Sequence, residues 1–331
     1  MDGELPEALP LNGIKGVGIA LGSGLAKGFA HIGVLKVLHK HGIHPSIVTG
    51  SSIGAVVGGS YLAGKLNDLE DWSKTLSRLS ILSYLDFRVR SAGLIGGNRL
   101  VKLLNEHFGD LLIEDLPHPF IALSSDLKTG HEIWLRKGKL TDCMRASFAL
   151  PGVFPPVEMN HRFLVDGALV NPVPVSPCQS LGARMTIAVD LNADLIGKAA
   201  EPDKKYQKIA GFDLMDTKDV PDDQQKKIKS SGLSRRLFRR EPDNPSLFGV
   251  MVSALNIMQD RLTRSRLAGD PPDVHIKPAI GHIGLLEFEK ADELIALGEE
   301  AALKALPEIW AAMEVLLSPP VLEEFYKNQK R

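Results

Sequence analysis

Short apolar runs that stop at glycine alternate with longer stretches of helical spacing through the first 65 residues. Residues 16–22, GVGIALG, have the length and composition of a buried strand. Over 25–42 the apolar side chains Phe29, Ile32, Val34, Leu35 and Leu38 recur at the helical period, and Gly42 is a natural stop. Residues 46–49 read as a second strand, followed at once by small and apolar residues up to Gly64. Strand, helix, strand, helix is the opening of a parallel sheet covered on its faces.

The pattern continues with amphipathic helices predicted over 66–82 and 99–108, and strands over 119–126 and 131–135. The second of these strands is expected to run antiparallel to the first, joined through Lys128-Thr129-Gly130. A helix over 141–149 is stopped by Pro151-Gly152, and strands return at 163–165 and 185–191. Residues 199–245 are dense in Lys, Asp, Gln, Ser and Arg with little periodicity, which predicts a charged surface insertion. Helical spacing resumes over 247–267, where core packing and a cover over the site are both open readings. A short strand at 274–277 and a closing helix at 288–306 follow. The whole predicts a three-layer α/β/α fold with a mostly parallel central sheet. Residues 1–15 form an N-terminal extension, 16–192 the core, and 247–317 helices and a strand that complete the same domain.

Composition narrows the class. A chain of 331 residues with 44% hydrophobic and 24% charged residues is an ordinary globular protein. A formal net charge of -1 provides no overall field for nucleic acid. Cys143 and Cys178 offer neither a disulfide framework nor metal-ligand spacing, and no cofactor or metal is expected. The acidic, proline-containing start MDGELPEALPLNG is unlike a secretory signal, and no apolar run reaches the roughly 18 residues of a membrane-spanning helix. The expectation is a cytoplasmic protein whose membrane contact, if any, is peripheral to the inner face, with homo-oligomerisation left open. Ser234-Arg235-Arg236-Leu237-Phe238-Arg239-Arg240 reads either as such an anchor or as a solvated charge cluster.

The candidate chemistry sits in Gly50-Ser51-Ser52-Ile53-Gly54. Only Ser52 fits the centre of a G-x-S-x-G frame, the sharp strand-to-helix turn that projects a serine hydroxyl at the carboxyl edge of a sheet. The plain alternative is a serine N-cap in a glycine-rich turn. Gly22-Ser23-Gly24-Leu25-Ala26-Lys27-Gly28 ends the preceding strand and opens a helix, so its backbone N–H groups can face an anion. Its glycines also give a loose dinucleotide fingerprint, but the second strand ends in the Ser52 elbow rather than in the required acidic residue. Asp166 follows an apolar strand and precedes Gly167, as either a general base for serine or an Asp-Gly turn. An α/β-hydrolase order of serine, acid and histidine would add His275 or His282.

Taken together, the 22–35 block, Gly50-Ser51-Ser52-Ile53-Gly54, Ala146-Ser147-Phe148-Ala149-Leu150-Pro151-Gly152-Val153-Phe154-Pro155-Pro156, Asp166-Gly167-Ala168 and Asn171-Pro172-Val173-Pro174 resemble the bacterial patatin-like phospholipase family. The resemblance covers residues 16–192, and the segment 261–286 is also similar to the family's bacterial cytoplasmic branch. It implies a Ser-Asp dyad without histidine, acting on acyl esters of lipids. Ser52 would be the nucleophile, Asp166 the base, and Ser23, Gly24, Leu25 and Lys27 the oxyanion loop. Gly22, Gly28, Gly50, Gly54 and Gly167 would be structural, as would His31. The family's loop is usually G-G-G-x-R-G; here only the middle glycine of the triplet remains and Lys27 replaces arginine. A positive φ at Leu25 would be strained. That departure leaves two outcomes, a working enzyme of reduced or narrow activity or a catalytically inactive regulatory or binding protein.

Overall fold

The computed structural model describes residues 13–76, 98–194 and 247–329. The 199–245 insertion, the basic cluster at 234–240, most of the N-terminal extension and residues 77–82 lie outside these residues, and the helix expected over 66–82 ends at Lys74 with Thr75 as its C-cap.

The strands are β1 (Ile14–Leu21), β2 (Pro45–Ser51), β3 (Phe120–Asp126), β4 (Glu132–Leu135), β5 (Val157–Met159), β6 (Arg162–Asp166), β7 (Met185–Val189) and β8 (Val274–Ile276). They form one sheet in the order β5-β6-β3-β2-β1-β7-β8, with β4 on β3. The run from β3 to β8 is parallel, whereas β4, β5 and β6 are antiparallel additions. β8 follows the 195–246 stretch in sequence yet pairs with β7 in the same sheet. β3 is buried at all seven positions, as expected for a strand covered on both faces. The short β5 escaped the sequence pattern, because only three residues pair and none is buried.

The helices are α1 (Ala30–Lys40), α2 (Ile53–Leu62), α3 (Leu66–Lys74), α4 (Asn98–Phe108), α5 (Leu140–Ser147), α6 (Val175–Ser180), α7 (Leu247–Gly269), α8 (Ala291–Leu316) and α9 (Pro319–Gln329). The alternation along β1 assigns the layers. Val17, Ile19 and Leu21 join the large core made with α1, α2, α5 and α8, whereas Ala20 packs with Ala188, Val173 and Val175 on the other face. The small residues on that second face let the 173–180 segment lie close to the sheet.

α1 and α8 cross at backbone contact. A Cβ on Gly33 would lie 2.0 Å from the Ile295 carbonyl oxygen, and one on Gly298 would lie 2.0 Å from that of Ala30. α8 also runs past the 306 boundary suggested by the sequence, with Pro307 inside it. Proline in a helix interior costs about 3 kcal/mol or more. Burial of Ile309 and Met313 beyond it continues the apolar face, and that packing carries the helix on.

Candidate active site

The topology brings two distant segments end to end. β2 and β6 both pair with β3, and their registers abut: Ser51 lies opposite Leu123 and Asp166 opposite Ser124. β2 therefore stops where β6 arrives, and the residue after β2 meets the last residue of β6. Ser52 Oγ donates to Asp166 Oδ2 at 2.6 Å across 114 positions of sequence.

Ser52 adopts φ 56°, ψ -123°, a strained conformation for a residue with a side chain. Its glycine frame is a steric requirement. A Cβ on Gly50 would sit 2.4 Å from the Gly54 carbonyl oxygen, and one on Gly54 would sit 2.1 Å from that of Leu21. Ser52 occupies the N-cap position of α2, but its side chain makes no capping bond. The hydroxyl is turned to Asp166 instead, which removes the plain N-cap reading. Ser51 Oγ is buried without a hydrogen-bond partner among the described residues and lies against Gly167.

Asp166 is buried, and its Oδ1 accepts from the Ala168 N–H at 2.8 Å. Burial pushes its pKa up to about 7, against the opposing pull of the Ser52 and Ala168 hydrogen bonds. The carboxyl thus titrates near neutrality, where a base for a hydroxyl is most useful. His275 Nε2 instead lies 3.5 Å from Asp190 Oδ2, and His282 pairs with Glu293 at 2.8 Å. Among the described residues no hydrogen bond or ion pair joins either histidine to Ser52 or Asp166.

In the 22–28 loop the backbone donors divide. Ser23 N–H is spent on the Pro172 carbonyl at 2.9 Å and Lys27 N–H on that of Gly24 at 3.1 Å. No hydrogen bond among the described residues engages the N–H of Gly24 or Leu25. The expected set of Ser23, Gly24, Leu25 and Lys27 thus narrows to its two middle members as available backbone donors. Leu25 does take the left-handed conformation, with φ 50°. His31 Nε2 lies 2.7 Å from the Gly22 carbonyl, and burial lowers its pKa to about 4, so a neutral imidazole donates to the loop. That agrees with a structural role for His31.

Ser147, not singled out as a functional residue in the sequence, supports the elbow directly: its Oγ accepts the Ser52 backbone N–H at 3.0 Å. The signal was its position in the 146–156 block.

Two cavities flank Ser52, and Leu25 lines both. One, of about 120 Å³, is walled by apolar side chains including Phe29, Val56, Leu69, Trp72, Leu104 and Phe148. The other, of about 10 Å³, lies between Ser23, Gly24, Asp166 and the α7 side chains Leu255 and Gln259. α7 therefore covers the site.

With this geometry in view, comparison with known proteins places the chain. Residues 19–178, which include Ser52, Asp166 and the 22–28 loop, match the family described as patatin-like phospholipase. An uncharacterized NTE family protein of Mycobacterium tuberculosis is 34% identical over 340 residues, covering 91% of this chain and 94% of that one. The chain belongs to the patatin-like phospholipase family. A second NTE family protein of that organism is 29% identical over 304 residues, 89% of this patatin-like chain and 48% of its own. Neuropathy target esterase sws of Drosophila melanogaster is 32% identical over 184 residues, 54% of this chain and 13% of that protein. Among solved structures, VipD from Legionella pneumophila covers 90% of this chain and 67% of its own, with TM-score 0.45 and 12% identity.

Proposed function

We propose that this patatin-like protein is a serine hydrolase of lipid acyl esters, working through a Ser52–Asp166 dyad and an acyl-enzyme. The observation that carries the reading is the 2.6 Å hydrogen bond from Ser52 Oγ to a buried Asp166 with a pKa near 7. Ser52 Oγ attacks the ester carbonyl carbon as its proton passes to Asp166. The carbonyl oxygen gains negative charge beside the N–H groups of Gly24 and Leu25, at the positive end of α2. Collapse breaks the bond to the alcohol, which leaves with the proton held by Asp166, and Ser52 carries the acyl group. Water then attacks as Asp166 takes its proton, and the released Ser52 oxygen recovers that proton. Histidine has no part in this cycle.

The altered loop supports an active enzyme. Leu25 holds φ 50° despite a left-handed penalty of roughly 1–2 kcal/mol. The turn that frees its N–H therefore survives the loss of glycine. Incubation with a fluorophosphonate followed by peptide mass spectrometry tests the reading. The phosphonyl adduct is expected on Ser52; an unmodified protein, or an adduct confined to another residue, would overturn it.

The apolar cavity is the natural seat of the acyl chain. Ile53, Val56 and Ser60 line it from one face of α2, so it extends along that helix away from Ser52. Eight residues of helix correspond to about 12 Å. Val56→Phe, one turn from Ser52, is expected to cut kcat/KM for dodecanoyl esters on the order of tenfold. Acetyl and butyryl esters should be nearly unaffected. Equal loss across the chain-length series would place the acyl group elsewhere.

A further inference from the structure

α7 is amphipathic in an unusual sense, with apolar side chains on both faces. Its inner face, through Val252 and Leu255, packs against Leu150, Val153 and Leu285 and lines the small cavity at Ser52. Its outer face carries Val250, Ala254, Ile257 and Met258 at positions i, i+4, i+7 and i+8, which form one stripe on a helix. All four are exposed, Ile257 at 61% and Met258 at 65%. Arg261, also exposed, continues the stripe by one turn. The outer surface of a cover helix is ordinarily its polar side; a contiguous apolar one marks a contact surface.

A second observation lies at the same edge of the sheet. β3 and β6 run on beyond the level of Ser52, and there Leu127 and Phe163 are exposed at 54% and 55%. They are joined by the Leu127 N–H to Phe163 carbonyl bond at 2.8 Å. Leu127 is three residues past Ser124, about 10 Å beyond the Ser52–Asp166 level. Exposed Lys128 follows it.

The geometry points to an anionic lipid surface docking against the carboxyl edge of the sheet through the outer stripe of α7 together with Leu127 and Phe163. Apolar side chains enter the acyl boundary, and Lys128 and Arg261 meet the headgroups. The occupant follows from continuity: the opposite face of the same helix lines the cavity at Ser52, so a docked bilayer faces the cover of the site. The choice of lipid rests on the acyl-ester reading above. Among the described residues no helix is long and apolar enough to cross a membrane, so the contact is one of docking.

The test uses the full chain carrying Ser52→Ala, so that binding is read without turnover. Flotation with phosphatidylcholine vesicles containing phosphatidylserine is expected to recover this protein. Adding Ile257→Ser and Met258→Ser is expected to weaken recovery at least tenfold. Phe163→Ser, made separately, should weaken it in the same direction, and Lys128→Glu with Arg261→Glu should abolish the preference for phosphatidylserine. These positions are exposed and outside both cavities, so on the Ser52-containing chain they should leave kcat/KM for a soluble butyryl ester unchanged. The proposal falls if the parental protein ignores vesicles or if the Ile257/Met258 variant floats like its parent. It also falls if light scattering shows that this variant only splits a dimer of the chain. Vesicle binding without hydrolysis of any ester would leave the surface standing and remove the acyl-hydrolase reading; hydrolysis of soluble esters without vesicle binding would do the reverse.

Discussion

Ser52→Ala is expected to lower turnover of a soluble acyl ester by on the order of 10⁴-fold or more, the scale of loss when a covalent nucleophile is removed. Ser51→Ala is expected to stay close to the parental rate. The two serines are adjacent, yet Ser52 Oγ donates to Asp166, whereas Ser51 Oγ is buried with no hydrogen-bond partner among the described residues. Removing an unsatisfied buried hydroxyl is near neutral or stabilising. A third substitution separates chemistry from folding. Ser52→Gly relieves the positive φ at 56° and should be as inactive as Ser52→Ala but more heat-stable, because glycine adopts that conformation without strain. Steady-state kinetics and thermal melts of the three variants check this. Comparable turnover by Ser52→Ala and its parent would end the assignment of the nucleophile.

Asp166→Asn is expected to reduce kcat by on the order of 10²- to 10⁴-fold, the range for loss of a positioned general base. The isostere keeps an acceptor for the Ala168 N–H but cannot take the Ser52 proton. In the parental protein activity requires the ionised carboxylate, so kcat/KM should rise with pH through a midpoint of about 7, and the residual rate of Asp166→Asn should lose that step. Because His275 lies against Asp190 and His282 pairs with Glu293 rather than with the dyad, His275→Ala and His282→Ala should preserve both the rate and the pH profile. Stability moves the opposite way. A buried acid whose pKa is raised binds more protons folded than unfolded, so its favourable contribution is full below the ordinary carboxylate range. That contribution declines as pH rises and is gone above about 7. Asp166→Asn, which never ionises, should therefore melt higher than the parent at pH 8. A variant that is inactive and also less stable at that pH would point to a structural aspartate.

Much of this was legible because local sterics constrain residue type. Gly50 and Gly54 frame Ser52 since any side chain there would strike Gly54 or Leu21 backbone, so the frame itself reported a tight turn. The α1 periodicity was visible because its less buried positions, Lys36, His39 and Lys40, fall three to four residues apart on one face of an otherwise buried helix. Other features were hidden because they depend on partners far away in the chain. Nothing near Pro307 announces that α8 continues, and nothing near Gly33 announces that Gly298 will meet its helix. The apolar spacing of α7 was ambiguous because both faces are apolar, one lining the cavity at Ser52 and the other exposed.

By itself the sequence determined the glycine frame of the elbow, the candidate aspartate and most of the strands and helices, since each is encoded by neighbouring residues and by backbone space; the short β5 and the helices α6 and α9 escaped it. Only the tertiary structure decided that Ser52 and Asp166 touch, because that requires β2 and β6 to share one edge of β3 in abutting register. It also decided which loop donors remain available. The Pro172 carbonyl engages Ser23 and the Gly24 carbonyl engages Lys27, whereas no hydrogen bond among the described residues engages the N–H groups of Gly24 and Leu25, and no spacing along the chain records where a carbonyl from another segment will lie.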